Sequence, residues 1–249
     1  MVKKNGIFFG GGAGFFSYYL GISKYILENY DLKNVEFAGV SAGTIASICL
    51  CIEDPNFIDK ILIDGLNDMR NNNTHSGTMF KDGVIGPEGI QILKSNLIKV
   101  IQESNKFTVI KDKCTIIATR LDGINPITEY IKDWNSINEL VDCITASCWV
   151  PLVFGNISTK FRGSNYIDGG FPFLFNTDTL KDDEHEWIEI NLYSFKRFHE
   201  NPIQSAVNLG ALFFSANNDF ASHLIDSGYE DAKANSHVFD KLPKKYREL

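Results

Sequence analysis

Apolar and polar positions along this chain fall into two periods, and short apolar runs ending in glycine recur ahead of helical stripes. Gly6-Ile7-Phe8-Phe9 is the first such run, and it delivers the chain into Gly10-Gly11-Gly12-Ala13-Gly14. A brief continuous apolar run before turn residues predicts a buried strand. Tyr19, Leu20, Ser23, Ile26, Leu27 and Tyr30 then recur at three- and four-residue steps, which predicts a helix from Phe15 to Tyr30 packed on one face. The plan repeats with a strand over Val35–Ala38, a tight turn at Gly39-Val40-Ser41-Ala42-Gly43 and a helix from Ala42 through Ile52. Ala42, Gly43 and Ala46 are small enough to let that helix lie close to a sheet. Two strand–helix units in succession predict a parallel sheet with right-handed crossovers.

Further along, Phe57, Ile58, Ile61, Leu62, Leu66 and Met69 predict an amphipathic helix, and the polar run Arg70 to Gly77 predicts a surface loop. Gly86-Pro87 opens a helix carrying Ile90, Leu93, Leu97, Ile98 and Ile101 on one stripe. Cys114 to Thr119 is a β-branched run that reads as a central strand, turned by Leu121-Asp122-Gly123 into a partner around Ile127 to Ile131. Ser136-Ile137-Asn138-Glu139 fits a capping box, and its helix continues through Leu140, Ile144 and Cys148 until Pro151 ends it. Ile157 to Phe161 and Tyr166-Ile167 read as two strands, the second running into Asp168-Gly169-Gly170. Trp187, Ile188, Ile190 and Leu192 predict one more strand, and Asn201-Pro202 opens a long helical region containing Val207, Leu212, Phe213 and Phe214.

Composition narrows this picture without changing it. The 249 residues are 44% hydrophobic and 22% charged, with 19 Phe and 7 Pro, which predicts one globular domain over 1–249. Its motif-bearing part spans about residues 5–195, ahead of a C-terminal helical region over 201–249. A net charge of -7 argues against a nucleic-acid-binding surface spread over the protein. The basic stretch Lys241 to Arg247 reads as a solvated end in preference to an anionic-lipid contact. Cys49, Cys51, Cys114, Cys143 and Cys148 lie inside apolar patterns without zinc spacing, so they read as buried thiols of a reducing compartment. No secretory leader and no run of about 20 apolar residues is present, which predicts a cytoplasmic, non-spanning protein.

The chemistry centres on Ser41. Gly39-Val40-Ser41-Ala42-Gly43 matches G-x-S-x-G where a strand meets a helix, the context in which a sharp turn lifts a serine hydroxyl clear of the sheet. A serine needs a base to take its proton and donors to hold the oxyanion that ester attack creates. For the donors, Gly10, Gly11, Gly12 and Gly14 lie at the end of the neighbouring strand and at a predicted helix N-terminus, where backbone N–H groups are free. The loop lacks Gly-Lys-[Ser/Thr], and Phe15 occupies the third place of G-x-G-x-x-G, so an oxyanion hole is the better reading than a nucleotide site. For the base, His185, His199, His223 and His237 are available, yet each reads as a surface or helix-face residue. Asp168 is the stronger candidate because it follows a hydrophobic strand and the two glycines after it permit a turn that aims its carboxylate inward.

These motifs, in this order, resemble those of the patatin-like phospholipases. The resemblance rests on the N-terminal glycine loop, Gly39 to Gly43, Asp168-Gly169-Gly170 and the preceding stretch Ala146-Ser147-Cys148-Trp149-Val150-Pro151-Leu152-Val153-Phe154. Ile117-Ala118-Thr119-Arg120-Leu121-Asp122-Gly123 is similar to the family's central strand and turn. What the resemblance implies is an α/β fold, three-layer α/β/α with a mostly parallel central sheet, carrying a Ser41–Asp168 dyad without histidine. It implies a lipid acyl hydrolase acting on phospholipid or neutral glycerolipid, with no cofactor and no metal. An acyltransferase using the same serine and a catalytically weak lipid-binding or regulatory protein are the alternatives, and peripheral contact with a membrane or lipid-droplet surface is an expectation common to all three. An ungapped match puts Phe15 where family members often carry Arg or Lys, and Phe16 where glycine is usual. Phe173 and Phe175 follow Asp168 closely enough to line an acyl groove.

Overall fold

The computed structural model describes residues 3–12, 15–54, 56–59, 86–123, 125–151, 156–171, 180, 184–195 and 218–245. Its strands are β1 (Lys4–Phe9), β2 (Glu36–Val40), β3 (Cys114–Asp122), β4 (Asn125–Ile131), β5 (Thr159–Phe161), β6 (Ser164–Ile167) and β7 (His185–Ile190). Its helices are α1 (Phe16–Asn29), α2 (Ala42–Ile52), the short α3 (Asn56–Asp59), α4 (Gly86–Ser104), α5 (Phe107–Lys113), α6 (Ile137–Ser147) and α7 (Asn218–Ala234). The parts of the predicted pattern over 61–77 and 201–214, and Phe173 and Phe175, lie outside the described residues.

The apolar runs with glycine ends become the centre of the sheet. β7, β1, β2 and β3 pair in parallel in that order. β4 and β6 join β3 antiparallel, and β5 pairs antiparallel with β6, so five of the seven strands share one direction. This is a mixed α/β fold whose central sheet is mostly parallel, with helices on both sides. Period-two alternation sorts the strand residues onto two faces. Ile7, Phe9, Phe37, Ile116 and Ala118 join the main core with α1, α2 and α6, while Phe8, Ala38, Val40 and Ile117 form a separate cluster with Leu180 and Trp187.

Several boundaries moved. β2 continues through Gly39 and Val40, so the chain leaves the sheet at Ser41 itself. β3 runs to Asp122, three residues past the β-branched stretch, because β4 and β6 supply partners there. At the start of α6 the Ser136 hydroxyl accepts from the Glu139 amide at 3.1 Å. The Glu139 carboxylate accepts from the Asn135 N–H at 2.7 Å and from Arg162 Nε at 2.7 Å, so the reciprocal arm of the box reaches one residue further back. The basic stretch is no loose end over its described part. Lys241 pairs with Glu186, and the Lys245 amide donates to the Asn29 carbonyl at 2.9 Å.

α1 and α7 are held at backbone contact by two glycines. A Cβ on Gly21 would lie 2.0 Å from the Ile225 carbonyl oxygen, and one on Gly228 would lie 2.0 Å from that of Tyr18. Polar ends close the same seam, with the Tyr18 hydroxyl on Asp231 at 2.7 Å and that of Tyr229 on Glu28 at 2.6 Å. Gly228→Ala is therefore expected to destabilise the fold by about 1–3 kcal/mol. The check is a lower urea midpoint at unchanged slope.

Candidate active site

One edge of β3 brings the site together. β4 pairs with β3 over Ile116 to Asp122 and occupies one edge. β2 pairs with Cys114 to Ile117, and β6 with Thr119 to Leu121, so both share the other edge in succession. β2 arrives in parallel and stops with Val40 opposite Ile117, while β6 arrives antiparallel and stops with Ile167 opposite Thr119. The residues that follow, Ser41 and Asp168, meet at the gap opposite Ala118. Strand register closes their separation along the chain.

Ser41 has φ 54° and ψ -127°, a conformation that side-chain-bearing residues adopt at a cost of roughly 1–3 kcal/mol. A serine at a helix N-cap ordinarily spends its hydroxyl on the first-turn amides. Here no side-chain cap bond forms, and the Thr44 amide bonds to the Ser41 carbonyl at 2.9 Å instead. The flanking glycines serve close approach. A Cβ on Gly39 would stand 2.6 Å from the Gly43 carbonyl oxygen, and one on Gly43 would stand 2.3 Å from the Phe9 oxygen and 2.5 Å from that of Gly10. Neither glycine takes a positive φ, so the strain of the bend rests on Ser41. α2 can then press its N-terminus against the end of β1.

Asp168 is held at both backbone and side chain. Its amide donates to the Trp149 carbonyl at 2.7 Å, the Gly169 amide donates to that of Ser147 at 2.9 Å, and Oδ1 accepts from the Gly170 amide at 2.7 Å. A Cβ on Gly169 would stand 2.1 Å from the Ile117 carbonyl oxygen, which explains the glycine after the aspartate. Burial pushes the Asp168 carboxyl up to about 6, against the opposing pull of the Ser41 hydroxyl and then the Gly170 amide. The Ser41 hydroxyl thus lies close enough to lower the carboxyl, and among the described residues Oδ2 has no hydrogen-bond partner.

The glycine loop lies beside this pair, since a Cβ on Gly11 would be 3.9 Å from that of Ser41. The Gly10 amide donates to the Ile190 carbonyl at 2.8 Å, so of the expected oxyanion donors this one is already committed to the sheet. Gly11 and Gly12 continue the loop, and Gly14 lies outside the described residues. Tyr19 supports the loop from below. Its hydroxyl donates to the Gly11 carbonyl at 3.1 Å, and its ring leaves no room for a Cβ on Gly12, which would come within 2.7 Å. Phe15 is only 1% exposed and belongs to the main core, so the position that often holds a basic residue in the family is filled here by packing.

His185 departs from expectation. It opens β7, is buried, and its Nε2 lies 3.2 Å from Glu36 Oε2 at the start of β2, the opposite end of the strands from Ser41. His223 and His237 are exposed, on α7 and in the turn after it, as expected, while His199 lies outside the described residues. All five cysteines are free, and four are buried. Among the described residues no cluster of His, Cys, Asp or Glu is arranged to hold a metal, and no helix is long and apolar enough to cross a membrane. Reasoning on the sequence assigned no role to Thr44, Tyr19 or Ser147. Ser147 was within reach, because it lies in the stretch ahead of Asp168.

The fold is of the α/β class, and it sets a strained serine at a strand–helix turn beside a buried carboxyl and a glycine loop. Residues 7–180 match the Patatin-like phospholipase model, and the chain belongs to that family of lipid-acting enzymes. It is similar to Omega-hydroxyceramide transacylase from Homo sapiens, 30% identical over 68% of this chain and 32% of the relative, and to the Mus musculus protein of that name, 32% identical over 68% and 28%. It is also 30% identical to a 1-acylglycerol-3-phosphate O-acyltransferase of Mus musculus, over 64% of this chain and 38% of the relative. The chain spans about a third of the length of these curated relatives. The solved ExoU-SpcU complex of the Pseudomonas aeruginosa type III secretion system aligns with 98% of this chain and 53% of that one, at TM-score 0.45 and 12% identity.

Because burial raises the Asp168 carboxyl from 3.8 to about 6, the folded chain holds that proton more tightly than the unfolded chain. The group favours folding below about pH 4, and the contribution is lost as pH rises through about 6. Asp168→Asn, uncharged throughout, is expected to gain stability over wild type across this window, by up to about 3 kcal/mol at pH 7. Urea midpoints of both proteins at pH 4 and pH 7 check the sign.

Proposed function

We propose that this protein is a lipid acyl hydrolase in which Ser41 and Asp168 act as a catalytic dyad on a fatty acyl ester of phospholipid or neutral glycerolipid. The observation that carries the reading is the Ser41 hydroxyl, released from capping by its strained backbone, beside a buried carboxyl whose pKa stands near 6. An ordinary aspartate near 4 is a weak base, and a carboxyl near 6 accepts a proton more readily while remaining mostly ionised at pH 7. The incomplete bond between the two groups is the loose geometry that such pairs show before substrate tightens it.

In this mechanism Ser41 Oγ attacks the acyl carbonyl as Asp168 takes its proton. The amides of Gly11 and Gly12 hold the developing oxyanion, and the N-terminus of α2 adds a favourable field. Asp168 returns the proton to the leaving alcohol, then takes one from the water that attacks the acyl carbon and hands it to Ser41 Oγ as the fatty acid is released. Phe173 and Phe175 belong to this reading as groove residues, and a cytoplasmic protein touching a membrane or lipid-droplet surface as its setting. The names of the similar proteins, a transacylase and an acyltransferase, favour a second reading in which a lipid hydroxyl replaces water at the last step.

Ser41→Ala is expected to abolish both fluorophosphonate labelling and acyl release. Asp168→Asn should lower kcat by about 10³-fold or more, since a base acting as a unit with its nucleophile is lost. Equal labelling of wild type and Ser41→Ala, or near-normal turnover of Asp168→Asn, would sink the dyad. In wild type, kcat/KM should fall about tenfold per pH unit below about 6, as Asp168 protonates. Product analysis with lysolipid or glycerol present separates the two readings: free fatty acid alone means hydrolysis, acylated acceptor means transfer.

A further inference from the structure

We infer that Ser147 is a positioning residue that fixes the angle of the nucleophile, acting through the Ser41 backbone. This rests on Ser41 being the nucleophile.

Ser147 ends α6 and is fully buried. Its Oγ accepts from the Ser41 amide at 2.9 Å and donates to the Ile117 carbonyl at 2.6 Å, and the Thr44 hydroxyl stands 3.2 Å away. A serine hydroxyl has one proton and two lone pairs. With the proton committed to Ile117, the lone pairs face the Ser41 N–H and the Thr44 O–H, so Thr44 is the donor in that pair. The hydroxyl is saturated, and every partner belongs to the elbow or to the strand that registers it. Strained backbone persists only where its surroundings over-determine it, and the Ser41 amide is held at the strained residue itself. The main chain of the same segment secures the other half of the pair, because the carbonyls of Ser147 and Trp149 accept from the amides of Gly169 and Asp168. One helix end therefore sets both members relative to β3.

Ser47 supplies the control. It is also fully buried and its hydroxyl also bonds to backbone, at 2.8 Å to Ala38 and 3.1 Å to Gly43, without reaching the Ser41 amide. Both Ser147→Ala and Ser47→Ala remove buried hydrogen bonds, so both should lower the unfolding midpoint. Only Ser147→Ala should slow fluorophosphonate labelling, by about 10²-fold, with a matching loss of kcat and little change in KM, as expected when a nucleophile is misplaced by a fraction of an ångström or more. Ser147→Cys, close in size with a weak donor and acceptor, should fall between the two and covers the case in which the alanine variant does not fold. Labelling of Ser147→Ala or Ser147→Cys at the wild-type rate, or an equal slowing in Ser47→Ala, would overturn the positioning role. If Ser41→Ala labels like wild type, the nucleophile assignment fails instead, so the two failures are distinguishable.

Discussion

The architecture depends on a single shared strand edge. β3 offers the same side to β2 and then to β6, and these two arrive from opposite directions and stop one residue short of each other. A parallel strand can hand its chain straight into a helix, as β2 does into α2, while an antiparallel strand returns to the same point from the far end of the sheet. The gap at Ala118 is thus where a serine from one and an aspartate from the other can be set within reach, with neither carried on a long loop. Positions on adjoining strand ends are more tightly determined than positions on loops, which suits the proposed dyad, whose proton transfer would tolerate little displacement.

Three kinds of close contact turn that meeting point into a site. Gly43 lets α2 press on β1, Gly169 lets the aspartate turn press on β3, and Ser147 ties the elbow amide to the Ile117 carbonyl. Each replaces space with backbone or a short polar bond, while among the described residues the Ser41 hydroxyl makes no cap bond and Asp168 Oδ2 has no hydrogen-bond partner. Burial then makes the charged form of the Asp168 carboxyl expensive and so raises its basicity. Local destabilisation of the folded chain is the physical counterpart of a stronger base.

Much of this was legible in the chain. The apolar runs at Gly6 to Phe9 and Val35 to Ala38, each followed by small residues and a helical stripe, forecast β1–α1 and β2–α2 because burial on both faces of a parallel sheet writes itself as continuous hydrophobicity. Ser41 and Asp168 stood out because glycines beside a polar residue at a strand end mark a bend or a close approach, whichever of the two applies. Which one applied was not legible. The glycines around Ser41 proved to be contact points, the bend falling on the serine, and for Gly43 the distinction depends on the Phe9 and Gly10 carbonyls at the end of β1, far away in the sequence. Gly10 looked equivalent to its neighbours until the Ile190 carbonyl claimed its amide. His185 looked like a surface residue because its polar flank, Asp182 to Glu184, hides that it opens a strand beside Glu36.

By itself, then, the sequence determined the strand–helix units around Gly6 to Ile52, the strands that follow and the candidate residues Ser41 and Asp168, because hydrophobic period and glycine placement are local properties, while the short helix Phe107–Lys113 left no such signal. Tertiary structure alone decided that Ser41 and Asp168 meet opposite Ala118, that Asp168 is dry enough to hold its proton to about 6, and that Ser147 holds the Ser41 amide. Register, desolvation and a shared hydrogen bond are relations between segments distant along the chain, 106 positions for Ser41 and Ser147, and nothing in the local pattern of any one segment records them.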